Sequence, residues 1–520
     1  MTRSELTAEY EQLQKKVAIL EVEKQQLEAQ NCWLKEQFKL ARHRHFGVSS
    51  EKASLLQNEL IFNEAEATVD STVTQTEPNT VVRVRKGKHV GHRKEMLADL
   101  PTEVVEYRLP EDEQICSVCG NHLHEMSTEC RDELVIVPAQ VKVKRHVRYV
   151  YSCRHCDKNE INTPILTAAA PKALISKSLA SASAVAYVMS QKFVEAMPLY
   201  RIEKHFERMG IELPRQILSN WMLKGGEMLE VIYNRMHERL LELDILHADE
   251  TSLQVLHESG RSAQSKSYMW LYRSGRYGPA IVLFDYQPTR KGENAKRFLT
   301  DFAGFLHVDG FAGYHDVKDV TLVGCWAHAR RAFAEALSIV AKEHRSNPEH
   351  LSNIALAFIG KLYAIEDEYR DGAPEERKAA RDERSRVILD GFKMWLDRES
   401  SLALPKSKIG EAITYCINQW PKLIAFLADG RLEIDNNRAE RSIKPFVIGR
   451  KNWLFANTAK GAKTSAIIYS VVETAKENGL NPSSYLEHLF ERLPNIDHAD
   501  TAAIDSLLPW SKAVQANLSV

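Results

Sequence analysis

The 520-residue sequence lacks an excess of charge of either sign, an apolar run of membrane length and a cysteine pattern suited to disulfides. The formal net charge of −1 leaves no overall basic field to announce a nucleic-acid partner, so any such contact has to come from local clusters. No apolar stretch approaches bilayer-spanning length, and the N-terminus is polar and charged rather than a basic start followed by an apolar core. A soluble cytoplasmic protein with no membrane partner is therefore expected. Four of the eight cysteines form two Cys-x-x-Cys pairs while Cys32, Cys325 and Cys416 stand far apart. That suits a reducing compartment with a metal site better than a disulfide framework. At this length a single core can be set aside and several domains are expected.

Heptads dominate the start of the chain. Leu6, Leu13, Leu20, Leu27 and Leu34 recur every seven residues, with Tyr10, Val17, Lys24 and Asn31 four positions after the first four of them. This is the a/d seam of a parallel dimeric zipper, assigned to residues 1–58, in which Lys24 and Asn31 pin register at a cost in stability. An amphipathic helix folded back on its own domain is the alternative. Residues 59–100 read as a flexible linker whose basic run, Arg83, Arg85, Lys86, Lys88, Arg93 and Lys94, can contact phosphates. In residues 101–170, Cys116, Cys119, Cys153 and Cys156 supply a four-thiolate tetrahedron for structural zinc. A β-hairpin is expected over 135–151 between the pairs, carrying Lys142, Lys144, Arg145 and Arg148. Residues 171–240 read as helical. Pro198 opens a helix that Gly210 stops, and Pro214 opens a second, giving helix-turn-helix dimensions with Arg215, Gln216 and Asn220 able to reach DNA. A plain helical hairpin fits that segment equally well.

Short apolar runs then begin, at residues 245–248, 268–272, 280–284, 305–308 and 320–324, as expected of a mixed sheet in an α/β core, residues 241–330. Asp249 and Asp309 each end such a run, where a strand is expected to give way to a loop. After a charged helical insert, residues 331–429, the core resumes over 430–475. There Asp435 can cap a helix on whose polar face Asn436, Glu440 and Lys444 share a side. Residues 476–520 form a helical tail. Singly, each acid has an ordinary structural explanation. Together, Asp249, Asp309 and Glu440 make a hard oxygen site suited to two Mg²⁺ ions, or Mn²⁺, acting on a phosphodiester, with Arg441, Lys444, Arg450 and Lys451 as the clamp on DNA phosphates. Cys325 and His328, ahead of Arg330 and Arg331, offer two metal ligands, too few for zinc. They read as support for the acid site, as does Asn436.

The order of zipper, Phe46-Gly-Val-Ser-Ser-Glu51, basic linker, paired Cys-x-x-Cys, helix-turn-helix, His-Ala-Asp249-Glu-Thr, Asp309-Gly-Phe-Ala-Gly-Tyr314, Cys-Trp-Ala-His-Ala-Arg-Arg331 and Asn436-Asn-Arg-Ala-Glu440-Arg resembles the transposases of the insertion sequence 66 family. The resemblance runs over nearly the whole chain, and the last three blocks are its specific part. It differs at Val48, where the family often has Arg, and at Lys94-Glu-Met-Leu, where a Pro-rich stretch is common. The resemblance implies a ribonuclease H-like catalytic fold interrupted by a helical domain, and a DDE triad at Asp249, Asp309 and Glu440. It also implies Mg²⁺ dependence, binding to the inverted repeats of a bacterial mobile element and to its target DNA, and small accessory proteins from the element. A homodimer or higher synaptic assembly on the nucleoid is the expected state. A non-catalytic DNA-binding regulator and a structure-selective nuclease of the same fold are the rival readings.

Overall fold

A computed structural model describes residues 140–152 and 165–518, together with Lys16. The zipper leucines, the basic linker and the four cysteines expected to hold zinc lie outside the described residues. The chain divides into two units, residues 51–143 and the remainder, and every strand and helix from Val150 onward belongs to the latter.

The first strands differ from the expected hairpin. Residues 140–149 form no strand, and β1 (Val150–Ser152) pairs antiparallel with β2 (Ile165–Thr167), so the two flank the second cysteine pair. The partner of Val150 is Thr167, and Arg148 Nε fixes the end of the ribbon on the Ala168 carbonyl at 2.8 Å. Lys142, Lys144, Arg145 and Arg148 are all exposed.

Three helices follow, each started by a local signal. Ser181 caps α1 (Ala182–Phe193) through its Oγ, and Pro198 and Pro214 precede α2 (Leu199–Arg208) and α3 (Arg215–Leu241). Gly210, at φ +82°, makes the turn between them in a conformation costly for any side chain. The second helix of the expected helix-turn-helix is far longer than a reading helix. Its 27 residues bury Leu218, Trp221, Met222, Leu229, Ile232, Met236 and Leu240 in the main core, because an apolar stripe persists along its whole length. Only its first turns present Arg215, Gln216 and Asn220 outward.

The sheet has the strand order β5-β4-β3-β6-β7, built from β3 (Ile245–His257), β4 (Lys266–Ser274), β5 (Val282–Gln287), β6 (Gly304–His307) and β7 (Val320–Val323). The first three are antiparallel, and β6 and β7 run parallel to β3. The short helix α4 (Gly292–Phe298) links β5 to β6. Apolar residues of the runs seen in the sequence, such as Leu246, Met269, Leu283 and Leu306, are fully buried. One strand departs from expectation: β3 does not end at Asp249. Pairing with β4 continues to Gln254 opposite Lys266, and β8 (Ala456–Thr458) adds a parallel bridge at Val255 and His257, so Asp249 sits inside a 13-residue strand.

The insert is helical, as its composition suggested: α5 (Trp326–Ile339), α6 (Leu351–Glu368), α7 (Pro374–Ala380), α8 (Arg386–Ser400) and α9 (Lys408–Leu423). It has its own core, in which Trp326, Phe333, Ile359, Phe392, Trp395 and Ile413 are packed. A π-helical step, Arg381–Ser385, joins α7 to α8. There the wholly buried Arg381 donates to Glu366 at 2.7 and 2.8 Å and to the carbonyls of Phe426, Asp429 and Leu432 at 2.7–2.8 Å. Every arm of the guanidinium is thus paired, which is what makes burying it tolerable.

The chain then returns to the sheet. α10 (Asn437–Trp453) lies against β3 and β4, and α11 (Ala459–Glu477) covers β5 and packs on α3. The expected boundary at residue 475 therefore falls inside α11. α12 (Pro482–Arg492) packs on α1, and two short helices, α13 (Thr501–Asp505) and α14 (Lys512–Leu518), close the chain. No helix among the described residues is long and apolar enough to cross a membrane.

Candidate active site

Strand register creates the site. His247 of β3 pairs with His307 of β6 in the parallel ladder, and each is followed two residues later by an acid, Asp249 and Asp309. Along β3 alternation puts Asp249 on the same face as His247, and Asp309 follows in the loop just past β6, so the register brings that loop alongside Asp249. The imidazoles stack with centroids 4.1 Å apart and are fully buried. Burial drives His247 down to about 3 and His307 well below its ordinary value, so both rings are neutral. Both nitrogens of His307, and Nε2 of His247, have no hydrogen-bond partner.

The third acid is brought by α10. Its N-cap is Asn436 rather than Asp435, and no side chain caps it there, although the Asp435 carboxylate accepts the Asn437 N–H at 3.1 Å and the Tyr363 hydroxyl at 3.0 Å. Asn436 is buried and ties three segments together. Its Nδ2 donates to the Ala248 carbonyl at 2.8 Å, its Oδ1 accepts from His247 Nδ1 at 2.9 Å, and its backbone N–H donates to Cys325 Sγ at 3.2 Å. One side chain thus fixes the start of the Glu440 helix one residue from Asp249. A second tie comes from buried Arg273 of β4, which donates to Ser442 Oγ and, at 2.9 Å, to Glu477.

Electrostatics reports the convergence of the acids. Burial first, then the negative charges of Glu250, Asp309 and Glu440, raise the Asp249 carboxyl well above its ordinary range, against a 2.8 Å hydrogen bond from the Glu250 N–H. Asp309 accepts the Phe311 N–H at 2.8 Å. Glu440 is half-buried, with Arg331 at 3.3 Å from one oxygen and His328 Nδ1 at 3.7 Å from the other. His328 is held below its ordinary value by burial, against the pull of Glu440, and burial pushes the Cys325 thiol up to about 12.

Several site residues escaped the sequence reading. Glu250, only 1 % exposed, receives the Tyr314 hydroxyl at 2.6 Å and Arg290 Nε at 2.8 Å, while Arg290 lies over the Phe311 ring at 3.9 Å. This braces the loop after Asp309, where a Cβ on Gly313 would meet the Phe311 ring at 2.2 Å and one on Gly292 would meet the Gly313 carbonyl at 2.5 Å. The spacing His-x-Asp at both strands was a usable signal for the histidine pair, and Arg331 stands in the Cys-Trp-Ala-His-Ala-Arg-Arg block; nothing local signals Arg290. Of the expected phosphate clamp, Arg441 and Lys451 are exposed and Lys444 is half-buried. Arg450 is instead turned onto β3, donating to Thr251 Oγ1 at 3.0 Å and to the Ser252 carbonyl.

The candidate site thus gathers acids from a strand, a post-strand loop and a helix, with basic residues beside them. The profile of the Transposase IS66 family matches residues 177–464, and that of the IS66 C-terminal element matches 470–510. The zinc-finger binding domain of transposase IS66 matches 113–157, which contains all four paired cysteines, and the region described as Transposase C of IS166 homeodomain matches 33–105. Among relatives, the uncharacterized protein y4qI of Sinorhizobium fredii is 31% identical over 495 residues, covering 91% of this chain and 87% of its own. The uncharacterized protein y4jD of the same organism is 30% identical over 416 residues, covering 77% and 78%. The chain belongs to the IS66 transposase family, a family of DNA transposases with DNA-binding and zinc-finger regions.

Proposed function

We propose that this protein binds the terminal inverted repeats of its element, hydrolyses a phosphodiester at each end and joins the freed 3′-hydroxyls to target DNA, using Asp249, Asp309 and Glu440 as its acid triad. The observation that carries this is geometric: the pairing of β3 with β6 and the tie from Asn436 to the Ala248 carbonyl bring three acids distant in sequence into one neighbourhood, where, after burial and Glu250, the charges of Asp309 and Glu440 also act on the Asp249 carboxyl. Uncompensated carboxylates gathered in a half-buried place cost folding energy and are retained where a cation joins them. The antiparallel-then-parallel strand order around β3 supports reading the core as ribonuclease H-like.

The three acids would hold Mg²⁺ or Mn²⁺, which when bound supplies neutralisation of the phosphate and polarisation of the scissile bond. The protein's own groups do the rest. Asn436 and Arg273 hold α10 so that Glu440 faces Asp249, and the Glu250–Arg290–Phe311 brace holds the loop that carries Asp309. Arg441, Lys444 and Lys451 contact the DNA backbone, while Arg450 stiffens β3 beyond the site. Arg215, Gln216 and Asn220, at the exposed start of α3, are the proposed contacts to the element end. Structural zinc on Cys116, Cys119, Cys153 and Cys156, dimerisation through the N-terminal zipper, accessory proteins and work at the bacterial nucleoid complete the reading.

The test is cleavage of a labelled duplex bearing the element's end, with Mg²⁺, by wild type and Glu440→Gln. Nicking at the end by the wild type, with binding but no nicking by the variant, is the expected result. Tight binding by both without nicking points instead to a DNA-binding regulator.

A further inference from the structure

Behind Glu440 lies a second set of donors that differ in chemistry from the carboxylates. Cys325 Sγ, His328 Nδ1 and a Glu440 oxygen all lie within 4.8 Å of one another. His328 Nδ1 and Glu440 Oε1 face each other at 3.7 Å, too far for a hydrogen bond, and each is shielded from solvent without any hydrogen-bond partner. Two facing buried polar atoms left unpaired are costly unless something sits between them. In a tetrahedral zinc site with bonds of about 2.0–2.3 Å, neighbouring donors stand about 3.3–3.7 Å apart, which matches the His328–Glu440 spacing. The sulfur already has outer support from the Asn436 N–H at 3.2 Å, and Arg331 engages the other Glu440 oxygen, leaving Oε1 turned to the pair.

We propose that Cys325, His328 and Glu440 form a binding site for a borderline-soft divalent ion of the zinc class, which shares Glu440 with the carboxylate cluster and takes its other two ligands from the start of α5. One thiolate, one imidazole and one carboxylate suit zinc or cobalt and are refused by Mg²⁺, which takes oxygen donors. Three protein ligands leave the fourth position to water, and entry is from the His328 side, where the side chain is 29% exposed. Filling the site commits Glu440 through Oε1 to the softer ion, so zinc competes with Mg²⁺ for the third acid of the proposed triad. That last consequence rests on the triad reading; occupancy of the site does not.

The experiment is native mass spectrometry of the full chain at micromolar free zinc with millimolar Mg²⁺ and no DNA. Wild type and Cys416→Ser, which alters a buried thiol in another part of the core, should each carry one more zinc than Cys325→Ser and His328→Gln. The zinc-finger cysteines contribute equally to all four. His328→Gln keeps the test alive if Cys325→Ser does not fold. Equal zinc in wild type and both variants would overturn the proposal, as would an extra ion that is lost in Asp309→Asn and kept in Cys325→Ser. Failure of end cleavage by the wild type would leave this count untouched, so the two readings fail separately.

Discussion

Asp249 is the residue at which function opposes stability. Its carboxyl titrates above the ordinary range in the folded protein, so as pH rises from the unfolded-state value toward the folded one the unfolded chain loses its proton first. The metal-free protein therefore loses stability through that window and keeps the deficit at neutral pH. Asp249→Asn should remove the deficit: in chelator, the variant melts a few degrees higher than wild type at pH 7, and the gap closes below about pH 4, near the unfolded Asp value. Added Mg²⁺ should raise the wild-type midpoint and leave the variant's unchanged. A variant that melts no higher than wild type in chelator would refute the like-charge account. Asn436 acts in the opposite sense. Asn436→Ala strands His247 Nδ1 and the Ala248 carbonyl, at a cost of about 1–3 kcal/mol per buried group, and releases the start of α10. End cleavage should fall by more than tenfold while affinity for the end, measured by gel shift, stays within about twofold, because its side chain is buried away from DNA.

At the level of elements, the insert depends on one arginine. Arg381→Ala leaves Glu366 and three carbonyls unpaired around a buried void, an expected loss of about 3–5 kcal/mol. Trp326, Trp395 and Trp420 lie in the insert's core and report it directly: their fluorescence should change at lower urea in the variant than in wild type. The sequence already marked most strands and the insert, because contiguous apolar runs and long charged helices are local signals. It placed the end of β3 too early because residues 250–254 are mostly polar, and a polar segment stays in a sheet only when a neighbour such as β4 pairs with it. The length of α3 was missed for the same reason in reverse, its apolar stripe being diluted among charges. The acids could be picked from short motifs. Their nearness could not, since it follows from pairing His247 with His307, residues sixty apart, and no window along the chain contains that register. The ties through Asn436 and Arg273, and the contact of Arg331 with Glu440, are likewise products of tertiary packing.

For the whole molecule, near-neutral charge means that DNA affinity is carried by a few local contacts, and salt should expose them one at a time. Arg441→Ala and Lys451→Ala should each lower the slope of log affinity against log salt by about 1 and weaken all sequences alike. Arg450→Ala should leave the slope unchanged and lower stability, since that guanidinium is spent on Thr251 and Ser252. An unchanged slope for Arg441→Ala would remove it from the DNA interface.

The helix that completes the site comes after the entire insert. The proposed triad is therefore incomplete on the ribosome until residues beyond Glu440 have left the exit tunnel, and α3 and α1 likewise wait for α11 and α12, on which they pack. A chain stalled within the insert lacks not only the third acid of the proposed triad but also the helices that cover β5 and hold α1 and α3, so the late segment completes the core and the candidate site together. Residues 1–430 expressed alone should therefore show no sharp thermal transition for the sheet core, and a cooperative one matching that of the full chain would dismiss the idea.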